Sequence, residues 1–559
     1  MAENASTDDA QPKHSKSYRT LVLAMLFIVY AFNFLDRQII SILAIPIKDE
    51  LGLSDEQLGL LGGIAFALLY STLGVPIAWL ADRMDRTWIM TISLTVWSAF
   101  TALSGFAQNF MHLFLARVGV GVGEAGGVAP AYTIIADYNP PSERARALAI
   151  YSLGIPVGSA FGVIAGSLIA SGSFSENLDW RSAFIIVGLA GVVVAPLFKF
   201  LVKEPVRGQY DAQPVAPAAE KPAVGPLSDK KAKMLALRGA VILAAPSLLS
   251  VFNILLFGAN AAQPIWMLLL AAAFGAACGW YAGGLWARNT SVVQIMLITS
   301  GLVLVPGLVA WVGGALVTGN ELGWGAYGWL IGRAIAGLLL GAFFFTFRDF
   351  LEVTLEKHSF WLMVAGASAS SMMGYGIFFW LPSFFSRTFD LGLVQTGWVF
   401  GGVLFVAGSL GIVLGGVMGD WMGKRSRSAF AIVPAIAFIF TAPFYWLGIM
   451  SPTVWIATAF MFVPTALGLA WLGPVLSAFQ HLVPPDMRTR ASSVFLLINN
   501  LVGIGGGVYV LGRVSTVLEP QFGEDSLRMS ILAGSMLYIV AAIFFWLASR
   551  YLARDWVED

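Results

Sequence analysis

Four charged residues lie within long apolar stretches of the first half of this chain: Asp36 and Arg37 in one, Arg117 and Glu124 in another. A charge in hydrocarbon costs roughly 2.5–3.5 kcal/mol on insertion scales, so such a residue either pairs or serves a pathway. Proton exchange and anion binding are the chemistries this set supports. If the two stretches are antiparallel helices, Asp36 and Arg117 differ in depth by ~8 Å or less at about 1.5 Å per residue, so long side chains meet. Glu124 follows Arg117 by two turns on one helix face. Protonating Asp36 or Glu124 would release Arg117, whose planar fork donates bidentately to phosphate or carboxylate. Asp36 and Glu124 are therefore proton-coupling candidates and Arg117 a substrate-binding candidate. Arg37, turned about 100° from Asp36, is a weaker one. The competing reading is a permanent ion pair that pins two helices.

Long apolar helices must position these groups. The chain is 58% apolar and 12% charged, with mean hydropathy +0.77. That balance excludes an ordinary water-soluble globule. Sixteen stretches are long enough to span a bilayer: 21–47, 57–81, 88–108, 111–136, 146–171, 182–203, 237–259, 265–287, 292–317, 324–346, 359–385, 395–419, 428–450, 453–479, 491–513 and 528–550. Most of the 33 Lys and Arg fall on one side when the N-terminus is inside. Lys48, Arg181, Arg387, Arg513 and Arg528 are the outside exceptions. The positive-inside bias thus places both termini in the cytoplasm. A multi-pass protein of a bacterial-type inner membrane is expected. The single cysteine, Cys278, permits no intrachain disulfide. No signal-peptide cleavage pattern follows the polar first 18 residues, so the first span is expected to stay as an anchor.

The chain also repeats itself. Ala78–Arg86 (AWLADRMDR) matches Gly416–Arg425 (GVMGDWMGKR), with Asp82 and Asp420 338 residues apart. Asn139–Arg146 matches Val483–Arg490 at an offset of 344. The offset makes 21–203 and 359–550 matching six-helix bundles, flanked by cytoplasmic tails 1–20 and 551–559. Between them lie a Pro/Ala-rich cytoplasmic linker at 204–236, an insert of about four helices at 237–346 and a cytoplasmic connector at 347–358. A membrane protein built from two parallel repeats is most often a transporter working between its halves.

The paired loops suggest a gate. Asp82 and Asp420 sit at inner helix ends beside Arg83, Arg86, Lys424 and Arg425, with Arg144 and Arg488 on the second loop pair. Such charges can latch helices in one conformation and release them in another; for the basic residues, positive-inside topology on solvated loops is the competing account. In the second half Tyr375, Asn499 and Asn500 are cavity candidates. The two adjacent amides need hydrogen-bond partners in an apolar span. Gly119, Gly121 and Gly123 lie in a membrane helix and not in a strand–turn–helix, so helix packing explains them better than phosphate binding. The four histidines are scattered, and no metal site, cofactor site or nucleic-acid patch is expected.

The duplicated loop, Leu115-Ala-Arg117-Val-Gly119-Val-Gly121, and Gly154-Ile-Pro156-Val-Gly158 with Gly162 resemble motifs of the major facilitator superfamily. Asn33-Phe-Leu-Asp36-Arg37-Gln-Ile-Ile-Ser, Arg117 with Gly123-Glu124-Ala125, Asp179-Trp180-Arg181 and Trp380-Leu-Pro382 resemble its Spinster branch. The resemblance implies an all-α fold of two six-helix bundles, alternating access, and proton-coupled movement of a lysolipid-like amphiphilic or organic anion, with membrane lipid as neighbour. It implies no enzyme. Two alternatives stay open: a proton symporter of a small hydrophilic organic acid, and a non-transporting receptor or structural protein.

The topology carries a first test. A cysteine placed at Ala218 in a Cys278→Ala background should resist a membrane-impermeant outside label in intact cells. Strong labelling there would overturn the inside placement of the linker.

Overall fold

A computed structural model describes residues 14–210, 228–257, 265–286, 294–305, 337, 340, 341, 343, 347–423, 426–484 and 487–557. Its described residues are helical throughout, with short turns between helices. Six helices precede the linker: α1 (Lys16–Ile42), α2 (Asp55–Ala78), α3 (Arg86–Ser104), α4 (Phe110–Tyr138), α5 (Arg146–Ala170) and α6 (Trp180–Leu201). Then come α7 (Asp229–Phe257) and α8 (Ile265–Trp286). After them run α9 (His358–Phe389), α10 (Leu393–Gly415), α11 (Ala429–Ile449), α12 (Val454–Gln480) and α13 (Arg490–Asp555). Eleven of these, all but α7 and α8, are long and apolar enough to cross a membrane among the described residues. α13 is broken near its middle. Gly523 takes a positive φ of 54°, and the 3-10 turn Gly523–Asp525 lets Gly507–Phe522 pack back against Ser526–Ser535.

The chain divides into two compact units, 1–213 with 359–482 and 492–559, and 214–358 with 483–491. In the first unit small residues let backbones touch. A Cβ on Gly158 of α5 would lie 2.0 Å from the Ala31 carbonyl oxygen of α1, and one on Gly162 would lie 2.6 Å from that of Leu35. In α4, a Cβ on Gly121 would lie 2.4 Å from the Phe66 carbonyl oxygen of α2, and one on Gly123 would lie 2.4 Å from the Trp97 nitrogen of α3. Lipid tails are as apolar as the helices, so close backbone contact replaces the hydrophobic drive of water. α1 is thereby pressed onto α5, and α4 is wedged between α2 and α3. The glycines of α4 do pack helices, as their setting predicts.

Among the described residues, helical hydrogen bonding is locally loosened at three places. π-helical turns occur at Leu60–Ile64, Leu404–Gly408 and Leu501–Gly506. The first two lie in helices that precede the repeated Asp82 and Asp420 loops. α4 also breaks, between Phe110–Glu124 and Val128–Tyr138.

The second unit centres on the α7–α8 hairpin. A Cβ on Gly239 would lie 2.2 Å from the Gly279 carbonyl oxygen, and one on Gly283 would lie 2.4 Å from the Ala236 Cα. Trp286 donates through Nε1 to Thr299 Oγ1 at 2.9 Å, on the apolar helix Gln294–Val305. Of the four spans expected at 237–346, this unit describes two long helices and that shorter one. The last expected span lies mostly outside the described residues, and Arg333 lies there too.

The close crossing of α1 and α5 predicts a size limit. Gly158→Leu should lower the thermal unfolding midpoint in detergent, as overpacking costs about 1–3 kcal/mol. Gly402→Leu, at an exposed site with open space around it, should leave the midpoint unchanged. Equal effects of the two would refute the packing argument.

Candidate functional site

α1 presents two faces. Asn33 and Arg37 are one turn apart on the same face, and Asp36 points about 100° away from Arg37. Glu124 is the last residue of its helical segment in α4 and is fully buried. Its Oε2 accepts from Asn33 Nδ2 at 2.8 Å and from Arg37 Nε at 2.7 Å. A carboxylate at a helix C-terminus faces the negative end of the helix dipole, so these two donors offset an unfavourable position. The partner of Glu124 is therefore Arg37, from the neighbouring helix, and not Arg117 on its own. Arg117 directs Nη1 to the Asp36 carbonyl oxygen at 3.5 Å. Asp36 is buried with both carboxyl oxygens unpartnered. The structure thus brings all four sequence candidates together, but as two layers: Arg37–Glu124 bonded, and Asp36 beside Arg117 without a direct carboxylate contact.

Aromatic side chains wrap the bonded layer. The Arg37 guanidinium lies 5.1 Å from the Phe34 ring centre, 4.7 Å from Phe66 and 4.5 Å from Tyr70. Ring quadrupoles attract such a cation, more strongly when it is desolvated. Tyr30 stacks on Tyr151 at 4.2 Å, and Tyr132 meets Tyr151 edge-on at 5.6 Å. Tyr375 of the second half is partly buried against this same core. Tyr30, Tyr70, Tyr132 and Tyr151 escaped the sequence reading because scattered tyrosines carry no spacing signal. Asn33 carried one, four residues before Arg37.

In the second half, Asn499 Oδ1 accepts from Ser371 at 2.9 Å and is buried. Asn500 is half-buried, just before the π-helical turn at Leu501–Gly506. One amide thus has a partner between α9 and α13, and the other stands beside it.

Ion pairs join the two halves at the Lys48 end of the first unit. Asp55 accepts from Arg387 Nη1 and Nη2, each at 2.7 Å, from Lys48 at 2.8 Å and from Ser515 at 2.8 Å. Glu56 accepts from Arg513 at 2.6 Å and from Tyr509 at 3.0 Å. Arg181 pairs with Glu50, and Arg528 with Asp525 at 3.6 Å. All five basic residues that break the positive-inside pattern are thus paired with acids. That exception pattern was the sequence signal for Asp55 and Glu56, which were missed.

The opposite end carries the repeated loops. Arg86 is buried, pairing with Asp137 at 2.6 Å and with Glu204 at 2.7 Å. Glu204 also accepts from the Arg86 backbone N–H at 2.9 Å. Arg207 donates to the carbonyls of Ala81, Asp82 and Met84 at the end of the α2 segment, and Gly208 N–H to Asp137 at 2.8 Å. Residues 204–209, expected to belong to a free linker, are thus tied to these loops. The charges responsible sit far apart in sequence, so no local pattern marked them. Asp82 itself is exposed and meets Arg207 through its carbonyl group. Arg83 is exposed. Arg144 donates to the Ala136 and Asn139 carbonyls at 3.0 and 3.1 Å. Burial raises the Asp85 carboxyl, but the Thr87 hydroxyl, the Trp88 N–H and the Lys199 ammonium outweigh it and hold Asp85 below the usual carboxylate range. Asp420 falls in the helix Ser409–Gly423, while Lys424 and Arg425 lie outside the described residues. Arg488 belongs to the second unit, where its neighbour Arg490 pairs with Asp349 at 3.6 Å.

Comparison with known proteins bears on this geometry. Residues 26–358 match the family model described as Major Facilitator Superfamily. An "MFS-type efflux pump" of Mycolicibacterium smegmatis is 26% identical over 100% of this chain and 99% of its own length. "Protein spinster homolog 1" of Xenopus tropicalis is 25% identical over 96% of this chain and 82% of its own. A "Probable L-galactonate transporter" of Escherichia coli is 30% identical over 32% of this chain and 38% of its own. Among solved structures, a bacterial homolog of the human lysosomal transporter Spinster, inward-facing and unoccupied, superimposes with a TM-score of 0.66. It is 24% identical, covering 98% of this chain and 100% of that one, and supports the fold.

The Arg37–Glu124 pair predicts a coupled energetic response. Arg37→Gln leaves a buried carboxylate and should destabilise by on the order of 3–5 kcal/mol. Adding Glu124→Gln removes that charge and should recover much of the loss. Unfolding midpoints in detergent give the cycle, and strictly additive effects would refute the pairing.

Proposed function

This chain belongs to the Major Facilitator Superfamily and resembles its Spinster branch, and on that premise we propose that it is a proton-coupled secondary transporter of an amphiphilic, lysolipid-like or organic anion. That it is a multi-pass membrane transporter follows from its family and its apolar helices. The finer reading rests on one observation: two carboxyls and two guanidiniums share one buried core, with Glu124 bonded to Arg37 and Asp36 beside Arg117.

In this mechanism Asp36 and Glu124 carry the protons. Protonating Glu124 removes its charge and releases the Arg37 fork. Arg37 and Arg117 then offer positive charge to an anionic head group. Phe34, Phe66 and Tyr70 supply apolar contact beside that charge, which suits an amphiphile. Tyr375, Asn499 and Asn500 would line the path from the second half. Alternating access would proceed between two six-helix bundles of a bacterial-type inner membrane, with termini in the cytoplasm and about four helices inserted between the bundles. The loops bearing Asp82, Arg83, Arg86 and Arg144, and their repeats at Asp420, Lys424, Arg425 and Arg488, would gate it.

A second reading, symport of a small hydrophilic organic acid, draws on the partial similarity to the probable L-galactonate transporter. Proteoliposomes tested with an anionic lysophospholipid and with galactonate separate the two. Lysophospholipid movement driven by a proton gradient is expected. Asp36→Asn and Glu124→Gln should abolish driven transport and spare counterflow, whereas Arg117→Ala should lose both. Normal transport by Arg117→Ala, or movement of galactonate alone, would overturn the first reading.

A further inference from the structure

The Asp36 carboxyl has a second neighbourhood, where α1 meets α3. Trp97 and Thr101 of α3 are one turn apart on one face and are both fully buried. Both stand close enough to act on the Asp36 carboxyl. Yet neither carboxyl oxygen has a hydrogen-bond partner, and neither does Trp97 Nε1 or Thr101 Oγ1. Buried polar groups without partners cost free energy, so such a cluster needs a reason. Two donors and two acceptors are thus buried without partners where α1 and α3 meet. α3 is held near α4 by Trp97 itself, against whose backbone Gly123 packs.

We propose that Trp97 and Thr101 are positioning residues of the proton step, donating to the Asp36 carboxylate once its proton has left. The inference rests on the reading of Asp36 as a proton carrier. When the Asp36 O–H bond breaks, the proton passes to solvent water and the electron pair stays on the carboxylate oxygen. The Thr101 O–H and the Trp97 N–H then close onto that oxygen and keep their own protons. Glu124 and Arg117 of α4 are the charged groups acting on Asp36 among the described residues, with Arg37 next to it on α1. Arg117 attracts a carboxylate and Glu124 repels it, and donors on Trp97 and Thr101 would add to the Arg117 side of that balance. Trp97 can donate and cannot accept, which suits the ionised state alone.

The test needs no substrate. Infrared difference spectra of the purified full chain, recorded against pH, contain a protonated-carboxyl stretch that Asp36→Asn should delete. Thr101→Val keeps the shape and removes the donor. It should raise the pH midpoint of that band by about one unit, since a hydrogen bond to a charged group contributes on that scale. Thr101→Ser should restore the wild-type midpoint, and Trp97→Phe should raise it as Thr101→Val does. An unshifted midpoint in both Thr101→Val and Trp97→Phe, or an equal shift in Thr101→Ser, would overturn the positioning role while leaving Asp36 as a proton carrier. A spectrum in which Asp36→Asn deletes no titrating band would overturn both.

Discussion

The fold is organised around one constraint: a charge withdrawn from water must be matched. Glu124 shows the rule most directly. It is fully buried at the end of a helical segment, where the backbone dipole disfavours it, and it persists because Asn33 and Arg37 converge on it. That convergence needs α1 and α4 at a fixed separation. The glycines of α4 set its distance from α2 and α3, and those of α5 set the seat of α1. Packing and electrostatics are therefore one requirement, since a side chain added at Gly121 or Gly158 would move the donors away from the carboxylate.

The same constraint acts at the two ends of the first unit, with different consequences. At the Lys48 end the pairs cross between the halves, Asp55 to Arg387 and Glu56 to Arg513. A transporter that opens there must break these pairs and hydrate them; Glu56–Arg513 is partly exposed, whereas Asp55 is buried, so its separation from Arg387 is the costlier of the two. At the loop end, the Arg86–Asp137–Glu204 network stays within the first half. It binds the start of the linker to the repeated loop, so a change in that loop would be felt by the linker. Of the charges expected on the repeated loops, Arg86 is the one that holds this network together, while Asp82 is exposed.

Much of the architecture was legible in sequence because a membrane imposes a simple code. Apolar length marks a span, and a repeated loop marks duplication. The glycines of α4 read as packing residues, and they pack. Arg37 was the weaker candidate because spacing alone turned it from Asp36. That turn is what aims it at Glu124, four residues beyond Asn33. The tyrosines around Arg37, and Trp97 and Thr101 beside Asp36, left no trace, since polar aromatic and hydroxyl residues are common in spans and their meaning depends on what faces them. Asp55 and Glu56 had a trace in the five misplaced basic residues, which demanded acids without naming them.

By itself, the sequence determined that this is a helical membrane protein with two repeated loop pairs and buried charges in its first half. Those properties follow from local hydropathy and from identity between segments, neither of which requires knowing what touches what. Tertiary structure alone decided the pairing. Whether Glu124 meets Arg37 or Arg117 depends on the rotation of α1 about its axis and its distance from α4. Those are set by glycine contacts between helices distant in sequence. A turn of one residue would change every partner, and no periodicity along a single helix records that angle.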